Sequence, residues 1–465
     1  MLSPAECEAV KAEKIAPRVA AFAAAPAADS AAFHAWAEGW LAGVKTELAA
    51  LSAYDLAQPL PTLLTYLEDA YQRLVRISVA HAHQLPILYT IMFEFEQFYQ
   101  DLFGQEGTPL HQLLHKYETH AIKGNRRLWA ISRQLQQQPA LAARFQTTPV
   151  AELLPQLASS PEGQAFLADL QSYLADYGKQ GEMISYLRFP YWIEDPTPVL
   201  LNLQTQLAQP ERDFAAELCR KTQQQEAAVA TVRAQIADYP QPVIEQFATQ
   251  LDKAQKATYM LYEHTYWMEL APNYHLRQLL LAIGRALQAA ACLDAADDIF
   301  YLHLAELRAL AANPTPQLAL IAERKADLAH WAQVPPPPPT IGPFPTEMPP
   351  SNPVMDVIFA LFGMPLPPED PTLLVGYGAS PGVVEGPVKV LHSVREVAKL
   401  AFGDILVTNM TTPVWTPVFA NAAGIITDSG GMLSHPAIVA REMGIPPLSA
   451  PARLPLFCRT VNWCA

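Results

Sequence analysis

The sequence has 465 residues, 51% of them hydrophobic and 16% charged, with a formal net charge of −14. That length allows two or three domains with sizeable cores, and the acidic balance argues against nucleic acid or an anionic membrane surface as a partner. No apolar run reaches the ~18 residues of a membrane span, no basic-then-apolar leader opens the chain, and five scattered cysteines (Cys7, Cys219, Cys292, Cys458, Cys464) suit a reducing cytosol, so a cytoplasmic location is expected.

Residues 1–333 read as an all-α domain, because glycine is sparse and Ala, Leu, Gln and Glu dominate. Apolar residues recur at helical spacing from Phe33 to Leu51, from Thr62 to His83 and, with many aromatics, from Leu85 to Phe103. Breaks are expected at Gly104–Gly107, Gln138-Pro139, Ser159-Ser160-Pro161, Tyr177-Gly178, Phe189-Pro190 and Tyr239-Pro240. Residues 334–372 read as a linker, stiff along Pro335–Pro339, with a short apolar helix from Val354 to Phe362. Residues 373–446 alternate strands (Leu373–Val375, Val388–Leu391, Ile405–Thr408, Ile425–Thr427) with helices (Ser393–Leu400, Pro413–Asn421, Ser434–Met443), which predicts a small α/β domain.

The stretch Gly430-Gly431-Met432-Leu433-Ser434-His435 joins a buried strand to an amphipathic helix. Ser434 is a good N-cap and Pro436 fits the first turn. His435 therefore sits at a helix start behind a glycine turn. Neutral imidazole is a nucleophile near pH 7, and a phosphoryl group on it would face unpaired backbone N–H groups and the positive end of the helix dipole. On the residues alone, a histidine at a helix start is more often a surface or capping residue than a site of phosphate chemistry.

The run from Gly430 to Pro446 (Gly-Gly-x-x-Ser-His-x-Ala-Ile-Val-Ala-Arg-Glu-x-Gly-Ile-Pro) resembles the phosphohistidine signature of phosphoenolpyruvate-utilising enzymes, with Pro436 where that family usually has Ala. The segments from Ser380 to Val388, from Gly403 to Val407 and from Thr411 to Pro417 resemble it too, so the likeness covers residues 373–446. It implies a β/β/α swivelling domain with His435 as the phosphoryl carrier and Gly431, Ser434 and Arg441 as phosphate-stabilising residues. Residues 447–465 depart from the pattern. Where the family continues with a strand and a Gly-Thr-Gly-x-Ala-Thr segment, prolines at 447, 451 and 455 argue against a central strand. A reading shifted by two nucleotides restores the expected segment, so this tail is expected to be out of frame.

The order of pieces resembles the rifampicin-phosphotransferase-like branch, through Tyr177-Gly178, the segment Trp192–Pro198, Glu263-His264 and the segment Asp297–Leu302; where relatives often carry Gly-His-Arg-Gly, this chain has Gly178-Lys179-Gln180-Gly181. The likeness implies that the helical domain binds the acceptor. Glu263 and His264, with Arg277 and Arg285, are candidates to deprotonate its hydroxyl and steady the phosphoryl group; a solvated helix face is the alternative. His111 and His115 lack a third ligand, so no metal is expected. His81 and His83, two apart on a helix, read as structural, and Tyr89, Phe93, Phe95, Phe98 and Tyr99 as core. The sequence carries no nucleotide-binding glycine loop, and neither a nucleotide-grasp domain nor a barrel for phosphoenolpyruvate is expected within these residues. The resemblance therefore implies a separate ATP-grasp partner supplying ATP and Mg, as in phenylphosphate-synthase-like systems, with a hydroxylated small molecule as acceptor. A catalytically inactive remnant or a small-molecule-binding helical protein is the competing reading.

Overall fold

The computed structural model describes residues 29–104, 108, 110–181, 186–207, 213–334, 375–380, 382–411, 415–419, 421–431 and 434–449. The expected linker helix and most of the tail lie outside them.

Helix α1 (Ser30–Ser52) starts at Asp29, whose carboxylate accepts from the Ala31 N–H, and buries Phe33, Ala37, Val44, Leu48 and Leu51 along one face. Helix α2 (Leu60–Phe103) runs unbroken through Pro86. The sequence reading split it between His83 and Leu85, and that is a correction. An internal proline costs about 3 kcal/mol, but Leu88, Ile91, Phe95 and Tyr99 are all buried beyond it, each contributing about 1.5–3 kcal/mol. After the short α3 (His111–Leu114) come α4 (His120–Gln136), α5 (Pro139–Thr147), α6 (Val150–Ala158) and α7 (Pro161–Tyr177). Pro139 and Pro161 occupy first turns, Ser160 accepts from the Gly163 N–H, and α7 ends at Gly178. Helices α8 (Thr197–Leu207), α9 (Phe214–Gln235) and α10 (Gln241–His264) come next. The last runs into a π-helical turn (Thr265–Leu270) and then α11 (Ala271–Ala289). Helices α12 (Leu304–Ala312) and α13 (Leu318–Trp331) complete the helical part.

The chain forms two compact units. The first comprises the described residues of Met1–Tyr54, Asp69–His120 and Asp213–Pro272. One core cluster joins Phe95, Tyr99, Leu113, Val232, Phe247 and Leu251; another joins Phe33, Leu88, Ile91 and Met260.

The second comprises those of Asp55–Glu68, Ala121–Arg212 and Asn273–Ala465. It contains a five-stranded sheet of β1 (Tyr377–Gly378), β2 (Val388–Val390), β3 (Asp404–Thr408), β4 (Ala422–Thr427) and β5 (Pro447–Ser449), in the order β1-β5-β4-β3-β2. β2 to β5 are parallel, and β1 is antiparallel to β5. Short helical connections cross between the parallel strands, including α14 (Thr416–Phe419) and α15 (His435–Met443). All of β3 is buried, as expected for a parallel strand covered on both faces. Leu391, Leu406, Phe419 and Ile425 from this lobe share one core with Phe145, Leu153, Trp192 and Leu200 from the helices of the same unit.

Two strand expectations change. The first described strand lies at Tyr377–Gly378; of the expected Leu373–Val375, Leu373 and Leu374 lie outside the described residues and Val375 is not in a strand. The tail enters the sheet: β5 starts with Pro447, which pairs with Ile425, and β5 lies between β4 and β1. A proline is tolerated at the first residue of a strand, and here the Pro446 carbonyl accepts the Ile425 N–H (3.1 Å). Residues 450–465, including Pro451 and Pro455, lie outside the described residues.

Candidate active site

The turn between β4 and α15 places His435. Gly430 has φ +130, in the region that favours glycine, and a Cβ there would come within 2.6 Å of Ser434 Oγ. The Ser434 hydroxyl donates to the Gly431 carbonyl (2.7 Å), closing the turn on itself. Gly431 and Ser434 are buried. Arg441 stands on the second turn of α15, and its side chain lies outside the described residues.

The His435 ring is half-buried. Its Nδ1 lies 2.9 Å from the hydroxyl of Thr411, which is itself buried, and its ring sits 6.1 Å from that of Phe419. Burial pushes its pKa from 6.5 down to about 3, so at neutral pH the ring is the uncharged, nucleophilic form. Thr411 is a residue that sequence reasoning quoted within a matching stretch without giving it a role.

The acceptor candidates are distributed between the units. Glu263 and His264 end α10 in the first; Arg277 stands on α11 in the second. The Glu263 carboxylate accepts from the His120 N–H (2.6 Å) and from Trp267 Nε1 (2.8 Å), so its oxygens brace the π turn. Arg277 is buried. Its Nε donates to both Glu194 oxygens (2.9 and 3.1 Å) and its Nη1 to the Leu187 and Arg188 carbonyls (2.6 and 3.2 Å), which fixes the strip from Leu187 to Glu194. Arg285 is exposed.

His264 has company that the sequence did not suggest. Its ring stacks on His81 at 5.1 Å, and His81 Nε2 lies 4.0 Å from Glu269 Oε1. Burial first, and the neighbouring His81 second, bring His264 down to about 4. Burial raises Glu269 to about 7. One turn further along α2, Gln84 is fully buried with neither amide atom hydrogen-bonded, and His81 Nε2 has no hydrogen-bond partner either. Two neutral imidazoles beside a carboxyl group that titrates near neutrality can take a proton from a hydroxyl. Glu269 was missed because it lies five residues from His264, off the α-helical face. The π turn bonds the Ala271 N–H to the Tyr266 carbonyl, five residues back, and rotates the helix surface beyond it. Of the aromatic run, Tyr89, Phe95 and Tyr99 are core, whereas Phe93 is exposed.

Residues 87–262 match the model of the rifampicin phosphotransferase fourth domain, and residues 400–452 that of the mobile domain of phosphoenolpyruvate-utilising enzymes. The second match runs past Pro446 and takes in β5. Over these two stretches the chain is similar to phosphoenolpyruvate-utilising enzymes. It is 33% identical over 429 residues to chondramide synthase cmdD of Chondromyces crocatus, covering 88% of this chain and 11% of that protein. It is 28% identical over 360 residues to the uncharacterized phosphotransferase YvkC of Bacillus subtilis (76% of this chain, 42% of that protein). It is also 28% identical over 309 residues to the rifampicin phosphotransferase of Streptomyces sviceus (63% of this chain, 33% of that protein). The chain thus spans less than half the length of each of these relatives. No helix among the described residues is long and apolar enough to cross a membrane.

Proposed function

We propose that this chain is a phosphotransferase component in which His435 carries a phosphoryl group from an ATP-charged donor protein to the hydroxyl of a small molecule bound by the helical part. The observation that carries the reading is the seating of His435: an uncharged imidazole at the start of α15, behind a glycine turn, with Nδ1 engaged by Thr411. With that edge engaged, Nε2 is the nitrogen that takes the phosphoryl group. A proton on Nδ1, donated to the Thr411 hydroxyl, lets the ring leave as neutral imidazole when the N–P bond breaks. In this reading ATP and Mg act on the donor side of the transfer. The relatives named phosphotransferases, one of them for rifampicin, support a hydroxylated small molecule as acceptor. In the helical part, Glu269 takes the hydroxyl proton as the O–P bond forms, with His81 and His264 keeping the site uncharged.

Labelling decides it. The full chain incubated with phosphoramidate, a small phosphoryl donor, is expected to gain one acid-labile, base-stable phosphoryl group, and His435→Ala none. A label on another residue, or none on the intact folded chain, overturns the carrier role and leaves a helical small-molecule binder.

A further inference from the structure

A second polar group in the unit that holds His435 has no part in that transfer. Its hub is the ring of Tyr274, at the start of α11. Lys179 Nζ lies 6.0 Å from the centre of that ring, the His275 ring 5.3 Å from it and the Tyr191 ring 5.6 Å from it. Tyr191 is 1% exposed, and its hydroxyl, buried, has no hydrogen-bond partner. Lys179 and His275 are half-buried. The charged groups facing the cluster are Asp176, which favours the ammonium form of Lys179, and the Glu194–Arg277 pair, both of whose charges are felt at Tyr191. Glu194 is spent on Arg277 and on the Tyr191 N–H.

This arrangement is costly as it stands. Burial lowers the pKa of Lys179, and burial together with the Lys179 charge brings His275 down to about 4. A buried hydroxyl without a partner adds the full cost of its lost hydration. One kind of occupant relieves all three penalties: an oxyanion that accepts from the phenol, pairs with the ammonium and draws a proton onto the imidazole. Two positive charges match a dianion.

We propose that Lys179, His275 and Tyr191, gathered round the Tyr274 ring, form a subsite for a phosphoryl dianion. Binding takes up one proton from solution, which His275 keeps. The phosphoryl group comes either from a free phosphomonoester or from phosphorylated His435 itself. The second source rests on the carrier reading, whereas the subsite does not.

The test uses the imidazole C2–H resonance of His275 in the full chain, assigned by its loss in His275→Gln. In chloride, His275 stays neutral and its resonance is flat between about pH 5 and 8. In inorganic phosphate at matched ionic strength it is expected to titrate inside that window. From about 4, a titration inside that window is a rise of about two units, a hundredfold gain for the charged form. Lys179→Gln is expected to abolish the rise and Lys179→Arg to keep it. A second sample, charged with phosphoramidate and freed of phosphate, distinguishes the sources. A rise there assigns the occupant to phosphorylated His435; a rise with added phosphate alone assigns it to a free phosphomonoester. A flat resonance in both samples, or an equal rise in Lys179→Gln, overturns the subsite. If His435 fails to charge, shown by a missing mass increment, the carrier reading falls and the phosphate sample still decides the subsite.

Discussion

Thr411 holds one edge of His435 at 2.9 Å, which steadies the ring. Thr411→Val keeps the shape and removes that bond, so phosphoramidate labelling of His435 is expected to slow about fivefold without loss of fold, as suits a hydrogen bond worth about 1 kcal/mol. The initial rate of labelling is also expected to hold as pH falls from about 7.5 to about 5.5, where the N–P bond still survives, because the ring stays neutral until close to 3. An exposed histidine would lose its rate below its ordinary value of 6.5. A rate that falls through that ordinary value would show the ring to be solvated. Gly430→Ala forces φ +130 on a residue with a Cβ and drives that carbon against Ser434 Oγ. It is expected to destabilise the unit by about 1–3 kcal/mol and to slow labelling, read by urea unfolding and by the same labelling assay.

At the scale of the element, the Arg277–Glu194 pair ties the start of α11 to the strip from Leu187. Arg277→Met leaves Glu194 without its partner and two carbonyls without a donor. It is expected to cost about 3 kcal/mol in urea unfolding, whereas Arg285→Met, at an exposed position, costs under about 0.5 kcal/mol. Helix limits were legible where local chemistry sets them: Pro139, Ser160 with Pro161, Gly178 and Pro240 stand at ends in the structure as in the sequence. The parallel strands were legible because apolar runs bounded by turns have little else to become. His435 was legible as a pattern of neighbours, and the glycine turn and helix before and after it formed as expected. Three things were not legible. Pro86 reads locally as an end, and only the buried face beyond it keeps α2 whole. Glu269 joins His81 through a π turn that helical spacing does not foresee. Thr411 reaches His435 across 24 residues, a distance set by the sheet and not by any motif.

At the scale of the whole molecule, the histidines at 264, 275 and 435 all have lowered values, about 4, 4 and 3 against 6.5. The unfolded chain then binds protons that the folded chain refuses. Their contribution to stability is complete above 6.5 and is lost as pH falls toward 4 and below. Glu269 has the opposite sign: raised from 4.5 to about 7, its contribution is present in acid and lost as pH rises through 7. Thermal unfolding is therefore expected to show the stability of the wild type falling on acidification below 6.5, and His264→Gln, His275→Gln and His435→Gln each to lessen that fall; a profile unchanged by all three would refute the assignment. The sheet order adds a constraint in time. β1, the first strand of its lobe, joins the sheet through β5, the last described. During synthesis Tyr377 and Gly378 must wait for Pro447–Ser449 to leave the ribosome before either has a strand to pair with. The lobe that seats His435 thus closes late, and a nascent chain halted before residue 447 displays an open sheet edge to its surroundings.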